Sequence, residues 1–481
     1  MKAFISLVLF LSFLYINAQA PKKFYNRFGG DGYDYGYDVK QTLDKGYIIT
    51  GSTSSIGNGN TDMYLVKLDS MGYKRFEVSF GGMSNESGKS IVQLVDSSYV
   101  ILGYTSSLGF GGYDIYMVKA SKTGAWLWEK TIGGSDWDFG NSIQATTDGG
   151  FIIAGQTDSY GRGNSDGYVI KTDANGIITW SKTFGGRYSD EFKSVIQTAD
   201  GGYMLTGYTK SYNDTITGDA WIFRLDVNGD SIYSQSVGGL YEDVFNNVVQ
   251  LPNLNFYFVG SNKSHTNGSN SVNWQYETDN TNSFVFNNFI GNTNTERYNS
   301  SCVGVNGNIV TVGFNNYMSS FSDANIHVFT PGLGYIAYYP FGVENMDELF
   351  SVSATKDKGF VAVGTCKGNT SLLNDILFVK TDSTGSYGSS IIGVIENTTN
   401  KIKPDIFPNP ANNLLHISIP NFSEFDNLNY SIININGQVV LTGNVYQEKT
   451  ILNLDLNSGL YFLQINHKQE VVFTTKISVI K

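Results

Sequence analysis

The chain has 481 residues, enough for two or three domains, and combines 54 Gly, 31 Tyr and 31 Phe with only 16% charged side chains. That composition describes short strands joined by tight turns and excludes a protein built on long helices. A formal charge of −11 excludes the basic face that phosphate neutralisation needs, so nucleic acid is not an expected partner.

Residues 1–20 read MKAFISLVLFLSFLYINAQA: Lys2 precedes an apolar run from Ala3 to Tyr15 that is short for a membrane span. Ala18-Gln19-Ala20 offers a small-residue cleavage site, and Pro21 is awkward just after a cut, so cleavage is expected after Ala18. Residues 1–20 are therefore read as a signal peptide, with no transmembrane span left after its removal.

An apolar-Gly-Gly step then recurs, its second glycine at Gly30, Gly82, Gly134, Gly186 and Gly239. Asn292 and Val343 hold that place in two degenerate copies and Val394 marks the end, giving intervals of 52, 52, 52, 53, 53, 51 and 51 residues. Such a period means that each unit is one supersecondary piece that buries its apolar face only against copies of itself. The third unit holds four short apolar runs, Asn141–Ala145, Phe151–Ala154, Gly167–Lys171 and Ile177–Phe184, each too short for a helix. Fourteen residues past the frame position stands Asp or Asn in every copy: Asp44, Asp96, Asp148, Asp200, Asn253, Asn306 and Asp357. Asp-Gly-Gly and its relatives are hairpin turns, and Asp-x-x-Gly (Asp69–Gly72, Asp173–Gly176, Asp226–Gly229, Asp382–Gly385) marks a second turn.

Four antiparallel strands per unit, seven units and no intervening helix predict an all-β, seven-bladed β-propeller over residues 21–394. An open solenoid is the rival, for which units of this length are long. Lys23–Phe28 is a spare fourth-strand sequence ahead of the first unit. It is expected to complete the last blade, where Ser386–Ile392 is weak and polar.

The pattern DGGFIIAG…GNSDGYVIKTDANGIITWSKTFGG resembles the Asp-Gly-Gly propeller repeats of secreted proteins from one Gram-negative bacterial phylum, over residues 28–394. Copies one to four match well; five and six match less well and lose the third-strand Asp/Lys pair. The resemblance implies a ring and brings no agreed ligand.

Residues 395–403 read as a polar linker. Beyond it, alternating strands with Asn-Gly and Ser-Gly turns predict a small β-sandwich over 404–481. Phe407-Pro408-Asn409-Pro410-Ala411, Asn436-Gly437-Gln438-Val439-Val440 and Ser458-Gly459-Leu460-Tyr461-Phe462, followed by Lys476 and Lys481, resemble the type A C-terminal sorting domain of type IX secretion. That resemblance implies the type IX machinery as a partner, passage through the outer membrane, and attachment to the cell surface or release. The competing reading is a small carbohydrate-binding sandwich.

An acid stands four residues past each frame position: Asp34, Glu86, Asp138, Asp190, Asp243, Glu296 and Asp347. Four further on comes Ser90, Ser142, Ser194, Ser300 or Ser351, or else Asp38 or Asn247. A group repeated in every blade serves the blade, so both rows are expected to satisfy buried backbone donors across the inter-blade loop. Asp226–Asp230 imitates half of a calcium loop, but Val237 stands where its bidentate Glu belongs. It reads as a turn, and neither Asp31, Asp34 nor Asp38 has a metal spacing; no metal and no cofactor is expected. The cysteines, Cys302 and Cys366, are expected to be buried singly. His265 and His327 lie in degenerate units, and no HExxH, GxSxG or CxxC occurs, so no catalytic residue is assigned.

The loop between units and the loop after the second strand are expected on one face of the ring. They carry DGYDYG, SDWDFG, STSSIGNGN, TSSLGFGG and TDSYGRGNS, whose aromatic, Ser, Asn and Asp side chains suit glycans or peptides. The members that break the symmetry, Tyr33, Tyr35, Trp137, Tyr160, Arg162 and Tyr188, are the candidate ligand-binding residues. The sequence thus reads as a secreted or surface-attached, non-catalytic module for a glycan, a peptide or another envelope protein. The alternative is a glycan-acting hydrolase or lyase that uses acids of the loop face.

Overall fold

The computed structural model of the chain describes residues 23–212, 217–291, 295–315, 323–341, 347–367, 373–387, 404–420, 422, 428–434, 439–467 and 470–481. The segments expected to be the signal peptide (1–20) and the linker (395–403) lie outside them. The chain divides into two compact units at Ile392/Gly393.

The first unit is a seven-bladed β-propeller of seven four-stranded antiparallel sheets. Blade 1 runs through Asp34–Gln41, Tyr47–Thr53, Asp62–Leu68 and Lys74–Phe80, and blades 2 to 6 repeat that order. First strands of successive blades lie against one another, and the first strand of blade 7 lies against that of blade 1, so the ring is closed. Its closure follows the expected route: Phe24–Phe28 pairs antiparallel with Asn374–Thr381 and supplies the fourth strand of blade 7.

The apolar pattern explains why no blade stands alone. Seven hydrophobic clusters occupy the propeller, each built from two neighbouring blades; Ile48, Met63 and Leu65 of blade 1, for example, pack with Ile91, Tyr99 and Tyr116 of blade 2. Third strands such as Asp62–Leu68 are buried along their whole length, whereas fourth strands such as Trp126–Ile132 are largely exposed. Cys302 and Cys366 are free and belong to the cluster between blades 6 and 7, where burial pushes both thiols up to about 12.

Every first strand carries a bulge at one place: Gly36/Asp38, Gly88/Ser90, Gly140/Ser142, Phe192/Ser194, Phe245/Asn247, Tyr298/Ser300 and Leu349/Ser351. The extra residue shifts the side-chain alternation and re-aims the side chains after it. The first strand also begins earlier than the apolar runs indicate; in blade 3 it spans Asp138–Ala145, so the repeated acid opens the strand instead of lying in the loop.

The second unit packs a three-stranded sheet (Asp405–Phe407, Leu414–Ser418, Lys449–Asn453) and a four-stranded sheet (Leu428–Asn434, Val439–Val445, Gly459–His467, Glu470–Val479) around one core that includes Leu415, Ile432, Leu463 and Ile477. Asn409 accepts a hydrogen bond from the Ser478 amide at 2.9 Å, which ties the Pro408–Pro410 turn to the last strand. Gly459 opens its strand, the Tyr461 hydroxyl donates to the Asn457 carbonyl at 2.9 Å, and Lys476 sits in the last strand opposite Phe462. Gly437 lies outside the described residues.

Candidate ligand-binding face

The repeated acids brace the loops of one face. In blades 1 to 5 the carboxylate accepts the frame-position amide four residues back, from Gly30, Gly82, Gly134, Gly186 and Gly239, at 2.8 to 2.9 Å. A serine of the loop after the second strand closes the brace: Ser55, Ser159 and Ser211 donate to Asp34, Asp138 and Asp190 at 2.6, 2.7 and 2.6 Å. The same serine oxygens accept the amides of Gly32, Asp136 and Tyr188, so the two loops are held together. The residues eight past the frame do not join this brace. They form a separate belt near the axis, where Ser351 donates to Asp38 at 2.7 Å, Asp38 accepts the Ile91 amide at 3.0 Å, and Ser301 donates to Asn247 at 2.8 Å. The bulge separates the two rows that sequence spacing had joined.

Each brace meets an acid from the blade before it. A Cβ added at Gly133 would lie 2.0 Å from Asp114 Oδ1 and 2.7 Å from Asp138 Oδ2. At Gly238 the pair is Asp219 and Asp243, and burial, then the Asp243 charge, raises Asp219 to about 7. Burial raises Asp243 as well, so the pair holds a proton more readily than ordinary carboxyls do. Both members are buried, at 3% and 0% exposure, out of reach of a substrate. His327 is buried as well, with the Tyr298 hydroxyl 2.9 Å from its Nδ1, and burial lowers it to about 4.

The opposite face is held by ion pairs absent from the turn-former reading. The first-turn acid meets a third-strand cation in blades 1, 2, 3, 4 and 7: Asp44–Lys67 at 3.0 Å, Asp96–Lys119 at 3.7 Å, Asp148–Lys171 at 2.8 Å, Asp200–Arg224 at 2.5 Å and Asp357–Lys380 at 2.9 Å. Asn253 and Asn306 make no such pair possible in blades 5 and 6.

The six candidate residues are spread around the loop face over blades 1, 3 and 4. Tyr33, Trp137, Tyr160 and Tyr188 are about half exposed, and Arg162 is exposed. Trp137 packs edge-on against Tyr113 and Phe139, the Tyr160 hydroxyl donates to the Gly133 carbonyl at 2.8 Å, and Arg187 lies over the Tyr188 ring. Only Tyr35 turns toward the axis, stacked on Tyr37 with ring centroids 6.0 Å apart. Tyr37 in turn meets Phe350 and carries the Lys89 ammonium 3.6 Å above its ring.

A cavity of about 570 Å³ opens elsewhere, between blades 4, 5 and 6, and none of the six lines it. Four cations do, Lys193, Lys210, Lys263 and Arg297, with one acid, Glu242. Lys193 pairs with Glu191 at 3.0 Å, Lys263 with Glu242 at 3.2 Å, and Arg297 with Glu348 at 2.6 Å. Lys193 and Lys210 both stand about 6 Å from the centre of the Tyr208 ring, and Arg297 lies 4.9 Å over Phe314. Sequence reasoning missed these residues because they come from three units. Two repeat positions carried the signal: 24 past the frame, where Lys210 and Lys263 replace Ser54, Ser106 and Asp158, and the bulged position seven past it, where Tyr37, Lys89, Asn141, Lys193, Asn246, Asn299 and Phe350 vary between aromatic, cationic and amide side chains.

Residues 405–481 match the family described as the secretion system C-terminal sorting domain, which implies secretion or attachment to the cell surface. Regulatory protein FlaEY of Caulobacter vibrioides is 25% identical over 187 residues, covering 33% of this chain and 20% of that protein, so the chain spans about a fifth of the relative's length. Among solved structures, Sqt1 from Chaetomium thermophilum is 13% identical over 70% of this chain and 82% of its own, with a TM-score of 0.42. The Neurospora crassa Pan2 WD40 domain is 11% identical over 75% and 96%, with a TM-score of 0.43. PorZ of Porphyromonas gingivalis, a surface component of the type IX secretion system, is 11% identical over 93% and 81%, with a TM-score of 0.29. Similarities of that size carry no information about this chain's ligand.

Proposed function

We propose that the protein is exported by type IX secretion and works outside the cell, released or attached to the outer-membrane surface, as a non-catalytic recognition module whose ligand enters from the loop face. The signal peptide, residues 1–20, would be cut after Ala18, 21–394 would form the binding ring, 395–403 the linker, and 404–481 would address it to the machinery. One observation carries the binding reading: the cavity opens where the repeat is least regular, with residues from units five and six. Groups present in every blade are occupied in bracing it, and the groups that differ give the cavity a lining of its own to offer a ligand. Tyr33, Tyr35, Trp137, Tyr160, Arg162 and Tyr188 supply further aromatic and polar contacts around the same face.

Array binding of the secreted protein to glycans and peptides, with substrate breakdown followed in parallel, tests this reading. Binding without turnover is expected; turnover would replace it with a glycan-acting hydrolase or lyase. Deleting residues 404–481 is expected to trap the propeller in the periplasm, and surface display of the truncated protein would overturn the sorting role.

A further inference from the structure

Resting on the loop-face reading, we infer that the cavity between blades 4, 5 and 6 binds a carboxylate-bearing oligosaccharide, a uronic-acid chain, with Lys210 as the residue that receives the carboxylate. Charge is the first ground. A chain of formal charge −11 places four cations and one acid around a single cavity. Three of those cations already face Glu191, Glu242 and Glu348. Lys210 differs from them: among the described residues its ammonium has no carboxylate partner, and it stands 6.0 Å from the Tyr208 ring centre. A ligand carboxylate there gains a charge-assisted hydrogen bond without displacing an internal ion pair.

Shape and neutral chemistry narrow the class. About 570 Å³ lies in the range of small-ligand sites. Between the cations the wall is built from Asn246, Ser261, Ser271, Thr295 and Asn299; Asn246, Asn299 and Ser271 donate to the carbonyls of Tyr298, Leu349 and Glu296, so they meet the hydroxyls of a sugar acid as acceptors. Apolar lining is confined to Val244, Phe314 and the Tyr208 ring, and cations already stand over Tyr208 and Phe314. An acidic peptide would find few apolar pockets for its other side chains, and the second and third strands of each of these blades are already paired on both edges.

The test is calorimetric titration of the secreted full-length protein with oligogalacturonate, its methyl-esterified form and poly-glutamate. Oligogalacturonate is expected to bind, the ester is expected not to, and salt is expected to weaken the complex. Lys210→Gln is expected to lower affinity about tenfold and Lys210→Glu further, with melting temperatures unchanged. Equal binding of acid and ester would overturn charge recognition while leaving the loop-face reading standing. Loss of uronate binding in Trp137→Ala but not in Lys210→Gln would move the site to the rim and overturn the cavity assignment. Poly-glutamate binding with oligogalacturonate silent would overturn the sugar class, and silence from all three probes would overturn the inference outright.

Discussion

In blades 1, 2 and 3 the third residue of the first strand is Gly36, Gly88 or Gly140; in blades 4, 5 and 6 it is Phe192, Phe245 or Tyr298. The glycine blades are wedged from outside. A Cβ at Gly36 would lie 2.5 Å from Val363 Cγ2, and one at Gly88 would lie 2.3 Å from Thr50 Oγ1, so the neighbouring blade already fills the space. The aromatic blades carry their own wedge. Phe192 stacks on Trp221 at 4.5 Å between ring centres, Phe245 on Trp274 at 4.2 Å, and Tyr298 bonds His327. A blade filled from within depends less on its turn, which explains how blades 5 and 6 hold without the Asp–Lys pair. The same independence leaves their axis-facing residues free to differ, and the cavity lies there.

The comparison breaks most visibly at Trp274, which is 1% exposed and donates to Asn287 at 2.6 Å. Trp274→Ala is expected to cost about 3–5 kcal/mol in urea unfolding, because it removes the wedge of a blade with no ion pair behind it. An equal loss from breaking the turn pair in blade 3 would refute the division of labour.

Asp219 sharpens it next. Its pKa is raised to about 7 from 3.8, first by burial and then by Asp243. The folded state therefore holds this proton more tightly than the unfolded one, and stability falls as pH rises between those values. In blade 5 an amide does the equivalent work: the Asn273 side chain donates to Glu296 at 2.9 Å. Asp219→Asn is expected to stabilise the protein by about 1–2 kcal/mol above pH 7, with the gain fading as pH falls toward 4. Melting temperatures of both proteins across pH decide the point; a variant that melts lower than its parent at pH 8 would reject it.

The ring and its closing strand were legible because their signals are local: a glycine step with a constant period, and a fourth-strand pattern left over at Lys23–Phe28. The tail was legible for the same reason, with three short motifs in order. What escaped involves partners distant in sequence. Asp148 reads as a turn former, and so it is, but its ion-pair partner Lys171 stands 23 residues away, beyond any turn rule. Asp138 and Ser142 read as one pair, until the bulge at Gly140/Ser142 sends them to different neighbours. The cavity was least legible of all: Lys210 and Lys263 share a repeat position 24 past the frame, but Arg297 and Lys193 come from other positions, and the four converge only when three blades are stacked.

Breaking the turn pair itself is expected to have a smaller effect. Bonding to Lys171 holds the Asp148 carboxyl at about 2, so its contribution is present above pH 3.8 and is lost as pH falls through about 2. Its side chain is 62% exposed, which lets water screen the pair. Asp148→Ala is expected to cost about 1 kcal/mol at pH 7 and almost nothing at pH 2, read from melting curves at the two pH values.

The smallest effect concerns the same turn in blade 5. Where blades 3 and 4 place Gly149 and Gly201 at φ of 86° and 87°, blade 5 holds Leu254 at φ 69°, as blades 1, 2 and 7 hold Lys45, Ser97 and Lys358 at 66°, 67° and 71°. A Cβ in the left-handed region crowds its own carbonyl, and Leu254 is 44% exposed, so little packing repays the strain. Glycine removes the strain but widens the unfolded ensemble, and the two terms largely offset. Leu254→Gly is expected to stabilise the protein by about 0.5 kcal/mol, against no gain for glycine at Leu251, which is buried at 3% in the core between blades 5 and 6. A melting temperature that drops in Leu254→Gly would mean that the Leu254 side chain packs usefully in its turn, and that the left-handed residue adds stability beyond the shape of the turn.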